Sequence, residues 1–308
     1  MGAGEVMRAI DLFAGLGGFT EGAEQAGCEV VWAANHWAAA VGCHSENHPS
    51  TAHSCQDLHQ ADWSAVPGHD LLLASPACQG HTRARGKERP HHDPTRSTAW
   101  AVVSALEFHR PQIGVIENVR EFARWQLFPA WCSAVSALGY AISPHLIDAA
   151  DHGVPQNRLR LFIVLTRSKH PIALNLPKRE PVAAQTIIDM SAGNWSAVDR
   201  AGRSPATLAR ITAGRAAHGS RFLTAYYGNE TGGRSLNRPI GTITTRDRWA
   251  VVDGDRMRMI SVNEARQAMG FRSSYRLPTR AKDAMHMLGN AVAPPVAADV
   301  ITALRAAL

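Results

Sequence analysis

The sequence is poor in aromatic residues, at 6% of 308, and only 19% of it is charged; it has five cysteines, Cys28, Cys43, Cys55, Cys78 and Cys132. An odd, scattered set of that kind is no disulfide framework and points to a reducing, intracellular compartment. No apolar run approaches the roughly 18 to 20 residues that span a bilayer, and the first thirty residues carry no charged-then-apolar leader. The expectation is a soluble, cytoplasmic protein with no membrane partner. Internal repeats and low-complexity tracts are also missing, and collagen-like and disordered classes are excluded. What the chain does have is 45% hydrophobic residues. That is enough for one large α/β domain, or one domain carrying a smaller module. Lys plus Arg number 32 against 26 Asp plus Glu, a formal charge of +6. The excess is modest and compatible with a polyanionic partner.

Short apolar runs at 8–13, 30–34, 70–74, 113–116 and 159–166 alternate with helical stretches such as 99–109. Strands alternating with helices build a doubly wound, mostly parallel sheet, whose ligands gather at the carboxyl ends of the strands. The stretch 171–236 lacks this rhythm and is rich in Gly, Ala, Ser and Arg. It reads either as a second module with its own partner or as a surface insert with solvated arginines. Beyond it, 261–269 has a helical pattern, and 289–295 is a turn leading into a last helix at 296–307.

Four motifs carry chemistry. Asp11-Leu12-Phe13-Ala14-Gly15-Leu16-Gly17-Gly18-Phe19 is a glycine-rich strand-to-helix turn that lets a ligand approach the backbone. Its spacing is not that of a dinucleotide site, and a turn without a ligand stays open. In Pro76-Ala77-Cys78-Gln79 a cysteine follows a strand end, and Arg83, Arg85 and Lys87 nearby would stabilise its thiolate. That suits a nucleophile, although a lone cysteine can also be structural. Glu117-Asn118-Val119 puts a carboxyl group at the same edge in poorly solvated surroundings, where it can stay protonated and donate a hydrogen bond. Gln156-Asn157-Arg158-Leu159-Arg160 presents two arginines at i and i+2, suited to a carbonyl or phosphate acceptor or to surface ion pairs.

Taken in order, these segments resemble the DNA (cytosine-5) methyltransferases. The resemblance also takes in Arg238-Pro239 with Thr242, Glu264 with Gly270-Phe271, and Gly289-Asn290-Ala291-Val292, and so runs nearly the whole chain. Seven motifs in family order leave little room for accident. The resemblance implies a class I S-adenosylmethionine-dependent methyltransferase fold, at 1–170 plus 276–308, with a smaller target-recognition domain at 171–275. It implies transfer of a methyl group from S-adenosylmethionine to C5 of a cytosine flipped out of double-stranded DNA. Cys78 would attack C6, Glu117 would hydrogen-bond N3 and the exocyclic amine, Arg160 would hold O2, and Arg158 would support the loop or backbone. The cofactor would be held by Phe13, Ala14, Gly15, Leu16, Gly17, Gly18, His36, Trp37, Asp57, Leu58, Pro76, Asn290 and Val292. Gln79, Arg83, Arg85, Arg203, Arg210, Arg215, Arg221, Arg234 and Arg238 would face DNA, and the loop 80–93 would close over the flipped base.

Three departures from the family pattern stand out. Ala77 precedes the cysteine where proline is common, His36 stands where an acid usually accepts from the ribose, and the variable segment is short. A tRNA cytosine-5 methyltransferase would share the catalytic set and is the alternative substrate reading. The histidines and cysteines at Cys43, His44, His48, His53 and Cys55 match no common metal-ligand spacing, and no metal is expected. The resemblance implies a monomer of bacterial or phage origin, acting either beside a cognate restriction endonuclease or without one.

Overall fold

The computed structural model describes residues 6–77, 98–226 and 231–308. The chain divides into two compact units: Met1–Asp148 with Leu159–Pro177 and Ala291–Leu308, and Ala149–Arg158 with Lys178–Asn290.

The first unit is built on seven strands: β1 (Arg8–Leu12), β2 (Glu29–Asn35), β3 (Ala52–Cys55), β4 (Leu71–Ala74), β5 (Ile113–Asn118), β6 (Ala141–Asp148) and β7 (Leu159–Thr166). They lie in the order β3-β2-β1-β4-β5-β7-β6. β7 alone runs antiparallel to its neighbours. Every residue of β4 and β5 is buried. Strands covered on both faces read as continuous apolar runs, and these two do so, as Leu-Leu-Leu-Ala and as Ile-Gly-Val-Ile up to the polar Glu117-Asn118 that ends β5. The helices between them are α1 (Gly18–Gln25), α2 (Ala38–Asn47), α3 (Thr98–His109) and α4 (Phe128–Ala137). A core on one side of the sheet joins Ile10, Leu72 and Ile116 to Val102, Leu106, Phe122 and Trp131.

The last helix of the chain, α8 (Pro294–Ala307), packs on α1. Two glycines make the approach possible. A Cβ at Gly18 would sit 2.0 Å from the Val292 carbonyl oxygen, and one at Gly22 would sit 2.5 Å from Ala297 Cβ.

The second unit has a four-stranded antiparallel sheet in the order β8 (Ser196–Ala197), β11 (Arg256–Met259), β10 (Trp249–Asp253) and β9 (Arg221–Ala225). Helix α5 (Pro205–His218) covers it, and the core there is Val198, Ile211, Phe222, Ala250, Val252 and Met257. Two short helices follow, α6 (Val262–Ala268) and α7 (Ala281–Asn290). The segment 171–236, expected to lack regular rhythm, thus contains a 14-residue helix and a five-residue strand. Ser204 caps α5 and Pro205 opens it, both favoured at a helix start. Its buried face of Thr207, Ile211 and Gly214 is too thinly apolar to announce itself. The Gly214 position has no room for a side chain, since Phe222 lies 2.2 Å from where a Cβ would stand. Residues 281–307 are long and apolar enough to cross a membrane by composition, but 67% of their most apolar window is buried inside the protein.

Candidate active site

The sheet register brings the carboxyl ends of β1, β2, β4 and β5 to one edge of the first unit. Leu12 pairs with Ala34 on one side and Ala74 on the other, and Ala74 pairs with Ile116. The residues after these positions are therefore Phe13, Asn35, Ser75 and Glu117. β7, running the other way, starts at that edge, with Leu161 opposite Asn118.

Glu117 and Arg160 meet there. Arg160 Nε lies 3.2 Å from Glu117 Oε1, with the carboxylate side chain 8% and the guanidinium side chain 17% exposed. A second donor of Arg160, Nη1, goes to the Leu159 carbonyl at 2.9 Å. Asn118, buried beside them, donates from Nδ2 to the Pro76 carbonyl at 3.0 Å and accepts the Val119 N–H at 2.8 Å. Asn118 therefore ties the end of β5 to the segment leaving β4, two residues before Cys78. No role had been given to Asn118, although it lies inside the Glu117-Asn118-Val119 motif. Cys78, Gln79, Arg83, Arg85, Lys87 and the loop 80–93 lie outside the described residues.

The glycine-rich turn begins with Phe13 at φ 61, followed by Gly15 at 55 and Gly17 at 93. Left-handed backbone costs glycine little and a phenylalanine more, so local strain is concentrated at Phe13. The Ala14 N–H bonds Ala34 O at 3.0 Å and the Gly17 N–H bonds Ala14 O at 2.8 Å. Asn35 orders the next turn, its Oδ1 accepting from the Trp37 N–H at 2.9 Å. His36 is exposed and Trp37 half-buried. Asp57 accepts from the N–H and Nδ1 of His59 at 3.1 and 2.8 Å, and these bonds, the backbone one foremost, hold its carboxyl below the usual range. Leu58 and Pro76 are buried. Val292 reaches the turn through its contact with Gly18.

Below the turn lies a buried chain of polar groups that spacing alone did not reveal. Thr20 Oγ1 donates to Asp11 Oδ2 at 2.9 Å, His44 Nε2 lies 3.1 Å from Thr20 Oγ1, and His44 Nδ1 lies 2.8 Å from His53 Nε2. Thr20 has one proton and gives it to Asp11, so His44 Nε2 must donate to Thr20 and His44 Nδ1 must accept from His53. Burial pushes the Asp11 carboxyl up to about 7, against the lowering effect of its bonds from Thr20. Asp11 Oδ1 has no partner among the described residues. Nearby, the ligand atoms of Glu21, Glu24 and His48 come within 4.8 Å of one another. His48 Nδ1 is engaged by both oxygens of Glu24, at 3.0 Å each, so these two side chains already serve one another as hydrogen-bond partners.

The second unit holds the other expected residues. Arg158 is buried, and its Nη1 and Nη2 donate to the carbonyls of Ile243 and Gly289, each at 3.0 Å. Gln156 Oε1 accepts the Ile243 N–H at 2.7 Å, and its Nε2 donates to Ala268 O at 2.9 Å. Both side chains of the motif therefore hold backbone. Asn290, exposed at the end of α7, has its Nδ2 3.2 Å from His286 Nε2. Most of the expected DNA-facing arginines have partners within the unit. Arg203 donates to Val198 O, Ala197 O, Ser196 Oγ and Tyr226 Oη. Arg210 bonds Ala206 O and Ala225 O. Arg215 pairs with Asp255 and Arg221 with Asp253. Arg234 bonds Asn157 and lies over Trp249. Arg238 is exposed, with no side-chain partner among the described residues.

Comparison with known proteins agrees with this architecture. Residues 7–306 match the family of C-5 cytosine-specific DNA methylases. The Type II methyltransferase M.NlaX of Neisseria lactamica is 26% identical over 98% of this chain and 97% of its own length. M.AgeI of Thalassovita gelatinovora, also a Type II methyltransferase, is 32% identical, over 51% of this chain and 39% of its own length. Among solved structures, a prophage-encoded E. coli protein assigned as a DNA modification methyltransferase superposes with a TM-score of 0.74 at 18% identity, covering 98% of this chain and 99% of that one. The mixed sheet is that of the class I methyltransferases. The chain belongs to the C-5 cytosine-specific DNA methylase family and is a methyltransferase.

Proposed function

We propose that the protein transfers a methyl group from S-adenosylmethionine to C5 of a cytosine flipped out of duplex DNA, through a transient bond between Cys78 and C6. The observation that carries this reading is the Glu117–Arg160 pair, joined through Asn118 to the segment that leads into Cys78. Cytosine C5 is a weak nucleophile until C6 is saturated. Addition of the Cys78 thiolate at C6 moves electron density onto the N3 side of the ring, where a hydrogen bond from the Glu117 carboxyl group to N3 offsets it. Arg160 fixes the Glu117 carboxyl through Nε and offers a guanidinium donor to O2. Once C5 carries the methyl group, loss of its proton to water expels Cys78 as the thiolate and restores the ring.

The residues of the first unit fit the methyl donor. Asp11 Oδ1 is a buried acceptor without a partner among the described residues, and the left-handed Phe13–Gly17 turn opens backbone beside it. Bound there, S-adenosylmethionine supplies an electrophilic methyl group. Phe13 and Trp37 would flank its adenine, Asp57 would accept from the adenine amino group, and the turn with Val292 would hold the methionine end. His36 would accept one ribose hydroxyl through a ring nitrogen. The names of the Type II relatives support a modification enzyme of the restriction-modification kind.

Labelled cofactor offered to duplex DNA and to tRNA tests the substrate. Incorporation into cytosine of duplex DNA is expected, and labelling of tRNA alone would overturn it. Cys78→Ser should abolish turnover and leave cofactor binding nearly unchanged, and a duplex containing 5-fluorocytosine should be trapped covalently. Turnover by Cys78→Ser at the wild-type rate would refute the covalent route.

A further inference from the structure

We propose that the loop 244–248 in the second unit is a DNA-backbone clamp, with Arg246 and Arg248 contacting phosphate; this rests on duplex DNA being the substrate. Five of the arginines picked out by sequence in this unit have their guanidinium groups engaged by carbonyls, carboxylates or an aromatic ring. Arg246 and Arg248 do not. Neither side chain has a partner among the described residues, Arg246 is exposed, and Arg248 is half-exposed. Asp247, between them, forms no ion pair with either, so neither cation is neutralised by the described residues of the unit.

The loop is held at both ends with unusual firmness for a surface segment. At its start the Ile243 N–H and carbonyl are fixed by the buried side chains of Gln156 and Arg158. Arg158 bonds Gly289 with its other amino group, and Gly289 allows close approach because a Cβ there would lie 2.3 Å from Thr244 C and Thr245 N. At its end the Arg248 carbonyl accepts the Tyr226 N–H at 2.6 Å, and Trp249 enters β10 opposite Ala225. Inside the loop, Thr244 Oγ1 donates to Arg246 O at 3.0 Å.

A buried guanidinium and a buried amide are thus devoted to the backbone of one surface loop whose own cations are left unpaired. Pre-set backbone lowers the ordering cost of binding, and unpaired guanidinium groups on such a frame suit phosphate oxygens by charge and geometry. Phosphate contacts set register and orientation without reading sequence.

Binding of the intact protein to duplexes of two unrelated sequences across a salt series tests the assignment. Each phosphate contact contributes about 0.9 to the slope of log affinity against log salt. The double variant Arg246→Gln/Arg248→Gln should therefore lower the slope by about 2 and weaken binding by roughly 10-fold or more at low salt, equally for both duplexes. Arg215→Gln, whose guanidinium is already paired, should leave the slope unchanged, and unchanged cofactor affinity in each variant certifies the fold. A double variant with the wild-type slope overturns the clamp, and so does a loss confined to one duplex, which would indicate base reading. If the wild-type protein showed no salt-dependent affinity for duplex DNA, the substrate reading would fail and the clamp with it; in the other two outcomes the substrate reading survives.

Discussion

At the scale of single residues, buried ionisable groups give this protein most of its testable chemistry. Asp11 is the clearest. Its folded carboxyl titrates near 7 against an ordinary 3.8, so between those values the folded chain holds a proton that the unfolded chain has released. Stability linked to Asp11 is greatest below pH 4 and falls as pH rises toward 7, by up to about 4 kcal/mol. Asp11→Asn should remove that fall, seen by comparing urea denaturation of the two proteins from pH 4 to 7; parallel profiles would refute the burial argument. Arg160→Met would strand the Glu117 carboxylate with little water around it, at a cost of about 3 kcal/mol or more. Adding Glu117→Gln should recover much of that loss, and strictly additive effects in the double-mutant cycle would show that the pair is not coupled.

Among elements, the contrast between glycines makes the packing visible. Gly22 of α1 faces Ala297 Cβ and Pro294 O at distances no Cβ tolerates, so Gly22→Ala should cost about 1–3 kcal/mol by forcing α1 and α8 apart. Gly42 in α2 meets nothing within 4 Å. Gly42→Ala should therefore stabilise by about 0.5–1 kcal/mol through helix propensity alone. Thermal melts of the two variants should move in opposite directions, and a shared sign would count against the packing described for α1. Legibility in the sequence follows the same logic. β1, β2, β4, β5 and β7 could be read directly because buried strands are continuous apolar runs. β3, as Ala-His-Ser-Cys, and β6, an edge strand interrupted by Pro144, have no such run and were passed over. The candidate site edge could be read as a set of motifs, since each sits at a strand end. The Asp11–Thr20–His44–His53 chain could not, because its members share no period and come from four different elements. Nor does an arginine in a sequence disclose whether its guanidinium is already engaged, which is why Arg246 and Arg248 were overlooked in favour of Arg203 and Arg215.

For the whole molecule, the two units carry different acid sensitivities. Burial lowers His69 to about 4 and also lowers His44, His53, His109 and His145, all in the first unit. A folded histidine that resists protonation loses stability as pH drops below 6.5, where the unfolded chain takes up the proton. In the second unit, burial alone would raise the Glu264 carboxyl, but hydrogen bonds from Arg258 and from the Ser261 and Asp189 N–H groups outweigh it. Its contribution is present above about 4.5 and is lost only as pH falls further. In Asp11→Asn, which removes the opposing trend of Asp11, hydrogen exchange resolved by peptide should therefore show β2–β4 and α3 opening between pH 6.5 and 4, before β9–β11; simultaneous opening would contradict this assignment. The packing of α8 on α1 bears on how the protein is made. Ribosomal synthesis delivers α1 before α8, with the entire second unit in between. The glycine face of α1 accordingly stays uncovered until translation of α8. The first unit therefore closes only after the second has been made, and any nascent chain stalled before Pro294 presents that bare helix surface to chaperones and proteases.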